Sequence, residues 1–249
     1  MSWQVRTGAD VWRFTAIIAV AALLGSVALR FALLPVDLAM RTLLPGSAMA
    51  LLIGAPIAWF VGQRMRAVAR LGDRLEHALH HDLLTGVHTR LSFYERTATI
   101  TAQSCAVIVT DIDNFKGFND RHGHFAGDQA LRQFAAILTA NCRSGDIVAR
   151  FGGEEFVIVI MGAGMAEGHA IADRLAERVR TSQIFFGEHT LRLTASFGVA
   201  ELPPDGDMDR TIQQADRALY RAKRSGRDRA CRFDPDLDGA AIPMGTAAE

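Results

Sequence analysis

Charge is nearly missing from the first quarter of this 249-residue chain. Residues 1–62 hold six charged side chains: Arg6, Asp10, Arg13, Arg30, Asp37 and Arg41. The other 48 of its 27 basic and 27 acidic residues follow residue 62. Cysteine is also scarce. Cys105, Cys142 and Cys231 lie far apart, which excludes a disulfide framework and a zinc ribbon and suits a reducing compartment. A basic excess is lacking too. Residues 63–249 carry 23 basic and 25 acidic side chains, so a nucleic-acid backbone is not an expected partner. His77, His80 and His81 cluster, but no Cys or carboxylate spacing accompanies them as a metal motif would require.

What the first 62 residues do have is apolar length. Thr15–Leu34 and Leu43–Gly62 each run about twenty residues, enough to cross a hydrocarbon core. Arg30 lies near the end of the first run, where its side chain can snorkel to headgroups. Pro35, Val36 and Asp37 break the helix into a short loop, and Trp3, Trp12 and Trp59 fall near the expected interfaces. A cleaved signal peptide is the competing reading. The first run is long for one, and a second span follows rather than a secreted domain. Arg6 and Arg13 precede the first span, and Arg64, Arg66 and Arg70 follow the second. The positive-inside rule then places both termini in the cytoplasm of an inner-membrane, multi-pass protein in contact with lipid.

Residues 63–81 repeat Val68, Leu71, Leu75 and Leu79 at helical steps, predicting an amphipathic helix continuous with the second span. It either lies on its own domain or pairs with a second copy as a short coiled-coil stalk, which Gly72 interrupts. Beyond it, Cys105–Ile112, Ile147–Phe151, Phe156–Ile160, Thr190–Ala200 and Arg229–Phe233 read as strands. Leu91–Ala102, Gly127–Asn141, Ala166–Thr181 and Met208–Arg224 read as helices, and the tail after Pro235 as loose. The alternation predicts an α/β (α+β) fold, a central sheet flanked by helices and preceded by two transmembrane helices. The expected divisions are a membrane anchor at 1–62, a helical linker at 63–81, a catalytic domain at 82–233 and a flexible tail at 234–249.

Carboxylates supply the chemistry. Asp111 and Asp113 end an apolar strand, and a two-residue period puts them on one face. Glu154 and Glu155 follow Gly152 and Gly153 at a hairpin tip, and Asp128 opens a helix. Buried carboxylates are costly unless neutralised, and a hard divalent cation that also holds phosphates is the natural partner. Two glycines without Cβ atoms let the backbone approach those phosphates closely. Lys116, Lys223 and Arg227 are complementary cations for a triphosphate. Those residues predict a metal-dependent enzyme acting on a nucleoside triphosphate.

The string Arg150-Phe151-Gly152-Gly153-Glu154-Glu155-Phe156 resembles the GGDEF/GGEEF motif that names a domain of diguanylate cyclases. Asp82-Leu83-Leu84-Thr85-Gly86 resembles that family's opening D-x-L-T-G. Asp111 to Lys116, Asn119-Asp120, Gly123-His124 and Gly127-Asp128 resemble its nucleotide-binding run. Ala215-Asp216, Ala218-Leu219-Tyr220, Ala222-Lys223 and Gly226-Arg227 resemble its last helix. The blocks fall in order across residues 82–233. Thr89 and Val87 depart from the usual Asn and Leu of the opening motif, and Asp228 from a common Asn.

The resemblance implies a fold like nucleotidyl cyclases and the polymerase palm. It implies Mg²⁺ held by Asp111, the Ile112 carbonyl and Glu154. Glu155 becomes a further metal ligand or the group that helps deprotonate the 3′-hydroxyl. Asn119 and Asp128 would bind guanine, whose N1–H and N2–H suit a carboxylate acceptor. Lys116, Lys223, Arg227 and the backbone near Phe115 would hold phosphates, and Asp113 would support the strand end. The reaction implied joins two GTP into cyclic di-GMP and releases two pyrophosphates, each domain of a homodimer contributing half the site. Arg143-Ser144-Gly145-Asp146 resembles the family's product-inhibition R-x-x-D, and Arg178 a secondary contact to it. The alternative implied is a catalytically silent receptor that only binds cyclic di-GMP. No phosphodiesterase domain is expected after Phe233.

Overall fold

A computed structural model describes residues 7–100, 104–186 and 189–239. The chain divides into two compact units, residues 1–77 and 78–249.

The first unit is helical. Helix α1 spans Gly8–Leu33, α2 Val36–Arg41 and α3 Leu43–His80. Thr7 caps α1 through a reciprocal bond pair with Asp10, satisfying two free N–H groups at its start. The apolar runs are long enough to cross a membrane, and their side chains face outward. Trp12 and Trp59 pack against each other, ring centres 4.5 Å apart. The segment expected as a loop at Pro35–Asp37 is instead the start of α2, with Pro35 at its N-cap. The expected junction helix is part of α3, and Val68, Leu71, Leu75 and Leu79 are all exposed. Trp3 and Arg6 lie outside the described residues.

The second unit is a six-stranded sheet between two helical layers. Its elements run β1 (His88–Thr89), α4 (Arg90–Thr97), β2 (Cys105–Ile112), α5 (Phe115–His122), α6 (His124–Ala140), β3 (Ile147–Gly152), β4 (Glu155–Met161), α7 (Met165–Thr181), β5 (Ile184–Phe186), β6 (His189–Leu191), β7 (Ala195–Leu202), α8 (Met208–Arg224), β8 (Ala230–Arg232) and α9 (Pro235–Asp238). The strand order is β1-β3-β4-β2-β7-β8, with β2 antiparallel to both β4 and β7. Strands β5 and β6 form a separate hairpin.

Strand β2 is buried over all eight residues, as a central strand covered on both faces must be. Its side chains alternate between two cores. Ala106, Ile108 and Ile112 pack with Phe134, Leu138 and Leu175. Cys105, Val107 and Val109 pack with Phe93, Ala215 and Leu219. Asp111 therefore points to the α8 side. Helix α8 lies close against β7: a Cβ on Gly198 would sit 2.0 Å from the Ala215 carbonyl oxygen, so only glycine fits. Asp207 caps α8 by accepting from the N–H groups of Asp209 and Arg210.

Three expectations shift, and two short strands were not expected. The helix expected over Leu91–Ala102 ends at Thr97, and residues 101–103 lie outside the described set. The strand expected over Thr190–Ala200 is two pieces: His189–Leu191 pairs with β5, while Ala195–Leu202 pairs with β2, whose ladder runs on through the Asp113 N–H to the Thr194 carbonyl at 2.9 Å. Short strands β1 and β5 carry no periodic signal in sequence. Beyond Pro235, residues 235–238 are helical and Asp238 is buried, so this part of the tail is packed. Residues 240–249 are outside the described set.

Candidate active site

The site forms where β2, the β3–β4 hairpin and α8 meet. Register places Asp111 opposite Glu155 on β4 and opposite Ser196 on β7. Asp111 is 7% exposed. Burial pushes its carboxyl up to about 6, Glu154 and Glu155 push the same way, and Lys223 opposes them. The Lys223 ammonium reaches Asp111 Oδ1 at 2.8 Å. Two other acids are raised with it. Desolvation and the Asp216 carboxylate raise Glu155, and desolvation raises Asp216. Negative charge is crowded here around one ammonium.

The hairpin tip is held from outside. Gly152 pairs with Glu155 across a register shift, and Gly153 adopts φ +47°, a left-handed conformation suited to glycine. Arg150 donates from Nε and Nη2 to the Gly153 carbonyl, at 2.9 and 2.7 Å, and from Nη1 to Asp82 at 2.9 Å. Asp82 in turn accepts from the Thr85 hydroxyl and N–H. One guanidinium thus ties the opening turn of the domain to the tip that carries Glu154. Arg90 stacks over Phe151 and Tyr94, and its charge tempers Glu155.

Asp113 does different work from Asp111. It accepts from the Thr194 and Ser196 hydroxyls at 2.8 and 2.7 Å and from the Asp228 N–H at 3.0 Å. These bonds anchor the turn in which Arg227 and Asp228 both take positive φ, which costs non-glycine residues energy unless neighbours enforce it. Arg180 grips the Asp228 side chain at 2.6 Å from the opposite side. Arg227 is thereby held at the end of α8.

A second cradle lies between α5 and α6. Asn114 is left-handed, and Phe115 opens α5. A Cβ on Gly127 would fall 1.9 Å from Asn119 Oδ1 and 3.2 Å from the Phe115 ring. The glycine leaves that space to the Asn119 amide. Asn119 Oδ1 is buried with no hydrogen-bond partner among the described residues. Such an atom costs free energy unless something donates to it. Asp128 follows Gly127 on α6, half-buried. Lys116 is exposed beside Phe115.

The Arg143–Asp146 loop is elsewhere. Asp146 accepts from the Arg143 N–H at 2.7 Å and from the Met161 N–H at 3.1 Å. Met161 pairs with Cys105, at the opposite end of β2 from Asp111. Six ladder steps separate the two ends, roughly 20 Å at strand spacing. Arg174 on α7 reaches the Asn141 carbonyl at 3.5 Å, beside this loop. Arg178, one turn later, is exposed and its guanidinium makes no hydrogen bond or ion pair among the described residues.

The residues expected at the catalytic and regulatory sites thus fall into three groups. Asp111, Glu154, Glu155 and Lys223 converge by register and electrostatic coupling. Phe115, Asn119, Gly127 and Asp128 form the cradle, with Lys116 at its margin. Arg143 and Asp146 stand apart. Sequence reasoning assigned no role to Arg150, Asp216 or Arg174. Arg150 and Asp216 sit inside recognised motifs and could have been flagged there. Arg174 had no signal beyond helical spacing.

The donors fit a hard divalent cation. They are all oxygen, and Asp111 is buried against the Lys223 ammonium. Among the described residues no three His, Cys, Asp or Glu side chains form a metal-holding group.

A palm-like sheet with acidic side chains at one end of its central strand defines a nucleotide-handling domain. The family of the diguanylate cyclase GGDEF domain matches residues 79–229, and the chain belongs to that family. It is 36% identical over 178 residues to the response regulator PleD of Caulobacter vibrioides, covering 67% of this chain and 39% of that protein. It is 37% identical over 166 residues to the diguanylate cyclase DgcM of Escherichia coli, covering 64% of this chain and 40% of that protein. The chain thus spans about two fifths of these relatives. Among solved structures it resembles the coiled coil and GGDEF domain of DgcB from Caulobacter crescentus in complex with c-di-GMP. That likeness has a TM-score of 0.61 and 27% identity, covering 69% of this chain and 96% of that one. Diguanylate cyclases of this family depend on a divalent metal ion.

Proposed function

We propose that this chain is a membrane-anchored diguanylate cyclase, joining two GTP into cyclic di-GMP with release of two pyrophosphates. The observation that carries the reading is the buried Asp111, held by Lys223 and paired in register with Glu155 of an intact GGEEF hairpin. Asp111, the Ile112 carbonyl, Glu154 and Glu155 would hold Mg²⁺. When bound, the ion would neutralise phosphate charge and lower the pKa of an attacking 3′-hydroxyl. The partnerless Asn119 oxygen and Asp128 accept from guanine N–H groups, which gives GTP preference over ATP. Lys116, Lys223, Arg227 and the backbone at Phe115 bind phosphates. Lys223 exchanges its bond to Asp111 for the triphosphate, freeing that carboxylate. Glu155, raised by desolvation and by the Asp216 carboxylate, suits a proton acceptor from the 3′-hydroxyl.

Each chain holds one nucleotide cradle, so a homodimer completes the reaction. The exposed seam of Val68, Leu71, Leu75 and Leu79 supports a paired stalk at 63–81 that keeps two domains at high local concentration. Residues 1–62 serve as a two-span inner-membrane anchor in contact with lipid, with the domain at 82–233 in the cytoplasm and residues 235–238 packed onto it. Arg143, Asp146 and Arg178 form a site for the product, which inhibits the enzyme. The structural relative bound to c-di-GMP supports a product-binding role for this domain.

The test is full-length protein in nanodiscs with GTP and Mg²⁺, cyclic di-GMP being followed by chromatography. Wild type should make it, and Glu154→Ala should not. Dimeric protein that binds cyclic di-GMP yet makes none would establish the silent-receptor reading instead.

A further inference from the structure

The family match ends at residue 229, yet the chain beyond it is locked onto the domain. Asp238 closes the short helix α9 with its side chain 2% exposed. Its two oxygens take the Arg221 guanidinium as a fork, Nε at 2.9 Å and Nη2 at 3.0 Å. Oδ2 also accepts from the Asp234 N–H at 2.9 Å. Arg221 Nη2 donates further to the Arg232 carbonyl on β8, and Arg217 donates to the Asp238 carbonyl at 3.3 Å. The forked geometry fixes direction as well as distance, because a planar guanidinium and a planar carboxylate share two parallel bonds.

Arg221 and Lys223 belong to the last turn of α8. They are two positions apart, about 3 Å along the helix axis. On one side the backbone of α8 rests on Gly198, where any shift toward β7 meets the sheet. On another, Asp238 holds Arg221. Near the other end of α8, Asp209 accepts from the Tyr94 hydroxyl at 2.6 Å. Helix α8 is therefore tied down near both ends, and Lys223 projects from the tied last turn onto Asp111.

We infer that Asp238 is a positioning residue: through its fork to Arg221 it sets the last turn of α8, and so where Lys223 stands against Asp111 and the triphosphate. This rests on the cyclase reading for its substrate, though not for its geometry. The carboxyl-terminal segment is then part of the catalytic domain, and substrate binding depends on a residue outside the recognised motifs.

The test compares wild type, Asp238→Asn, Arg221→Lys and Asp236→Asn as full-length protein in nanodiscs. Hydrogen exchange of the α8 amides and the kinetics of GTP consumption are the two readouts. Asp238→Asn should speed exchange in the last turn of α8 and raise the KM for GTP about tenfold, with a smaller fall in kcat. Arg221→Lys keeps the charge and loses the fork, so it should raise KM about threefold. Asp236, exposed on the same short helix, should be silent in both readouts. A lower melting temperature in Asp238→Asn with unchanged α8 exchange and KM would make the clasp a stabiliser only and overturn the inference. Should Asp238→Asn fail to fold, Arg221→Lys decides by the same criteria. Wild type without cyclase activity would sink the functional reading alone, since α8 exchange still judges the clasp: faster exchange in Asp238→Asn keeps it and unchanged exchange overturns it.

Discussion

The two ends of the β2–β4 ladder carry similar residue types in opposite settings. At one end Asp111 is buried, crowded by other acids and neutralised by a single lysine. At the other, Asp146 has both oxygens engaged by backbone N–H groups and the Arg143 side chain is exposed. The first end stores unfavourable electrostatics that a bound cation and phosphates would relieve. The second is a satisfied turn that presents a guanidinium. An acid whose neighbours are all donors is doing structural work, and an acid whose neighbours are acids awaits a ligand. About 20 Å of strand separates the two ends, so under the proposed inhibition a product bound at Arg143 would act by moving or pairing domains, not by blocking its own domain's carboxylates.

The sharpest way to break this contrast is at the crowded end. Asp111→Asn should lower cyclic di-GMP synthesis by about 10³-fold or more, measured under saturating GTP and Mg²⁺. The same substitution should stabilise the metal-free protein. Asp111 has a folded pKa raised from 3.8 to about 6, so the folded state binds the extra proton between those values. Its contribution to stability therefore falls as pH rises from about 4 to 6, by up to about 3 kcal/mol. Chemical denaturation in chelator at pH 4 and pH 7 should show this loss in wild type and less of it in Asp111→Asn. An Asn variant that is no more stable at pH 7 would contradict the account of burial.

A smaller effect is expected where the hairpin tip is tethered. Arg150→Lys loses two of three bonds and should lower kcat about 10- to 100-fold with little change in GTP KM. Equal falls in affinity and rate would place Arg150 in substrate binding instead. At the satisfied end, Arg143→Ala should leave initial rates near wild type and weaken product inhibition about tenfold, read as the cyclic di-GMP concentration that halves the rate. Asp146→Ala should do the same and also cost about 1–3 kcal/mol of stability, because two backbone donors lose their acceptor. Arg174→Ala and Arg178→Ala, run in parallel, sharpen the loop's boundary. Arg174 touches the Asn141 carbonyl and should affect inhibition more. Smallest of all, Tyr94→Phe should cost about 1 kcal/mol and leave product sensitivity alone.

Much of the domain was readable from periodicity. Strand β2 and helix α8 match their expected spans of Cys105–Ile112 and Met208–Arg224. Both are long, strongly patterned and bounded by turn or capping residues. The two-residue strand β1 and the break at Arg192–Thr194 were not readable. The break exists because β6 pairs with β5 in a hairpin of its own while β7 pairs with β2, eighty or more residues earlier in the chain. The strand period predicted one face for Asp111 and Asp113, but β2 ends at Ile112, and their separate jobs depend on which elements pack beside each. The tail from Pro235 looked loose because a four-residue helix has no periodicity, and its anchor is a partner on α8.

The sequence by itself determined the apolar amino-terminal runs, the alternation of strands and helices, and the residue types at the GGEEF hairpin. Those properties are local: a hydrophobic period or a glycine pair acts within a few residues of itself. Only the tertiary structure decided that Lys223 stands on Asp111, that Arg150 joins Asp82 to Gly153, and that Asp238 closes on Arg221. Charged side chains many residues apart choose partners by what the packed sheet and helices bring within 3 Å, and no local pattern encodes that meeting.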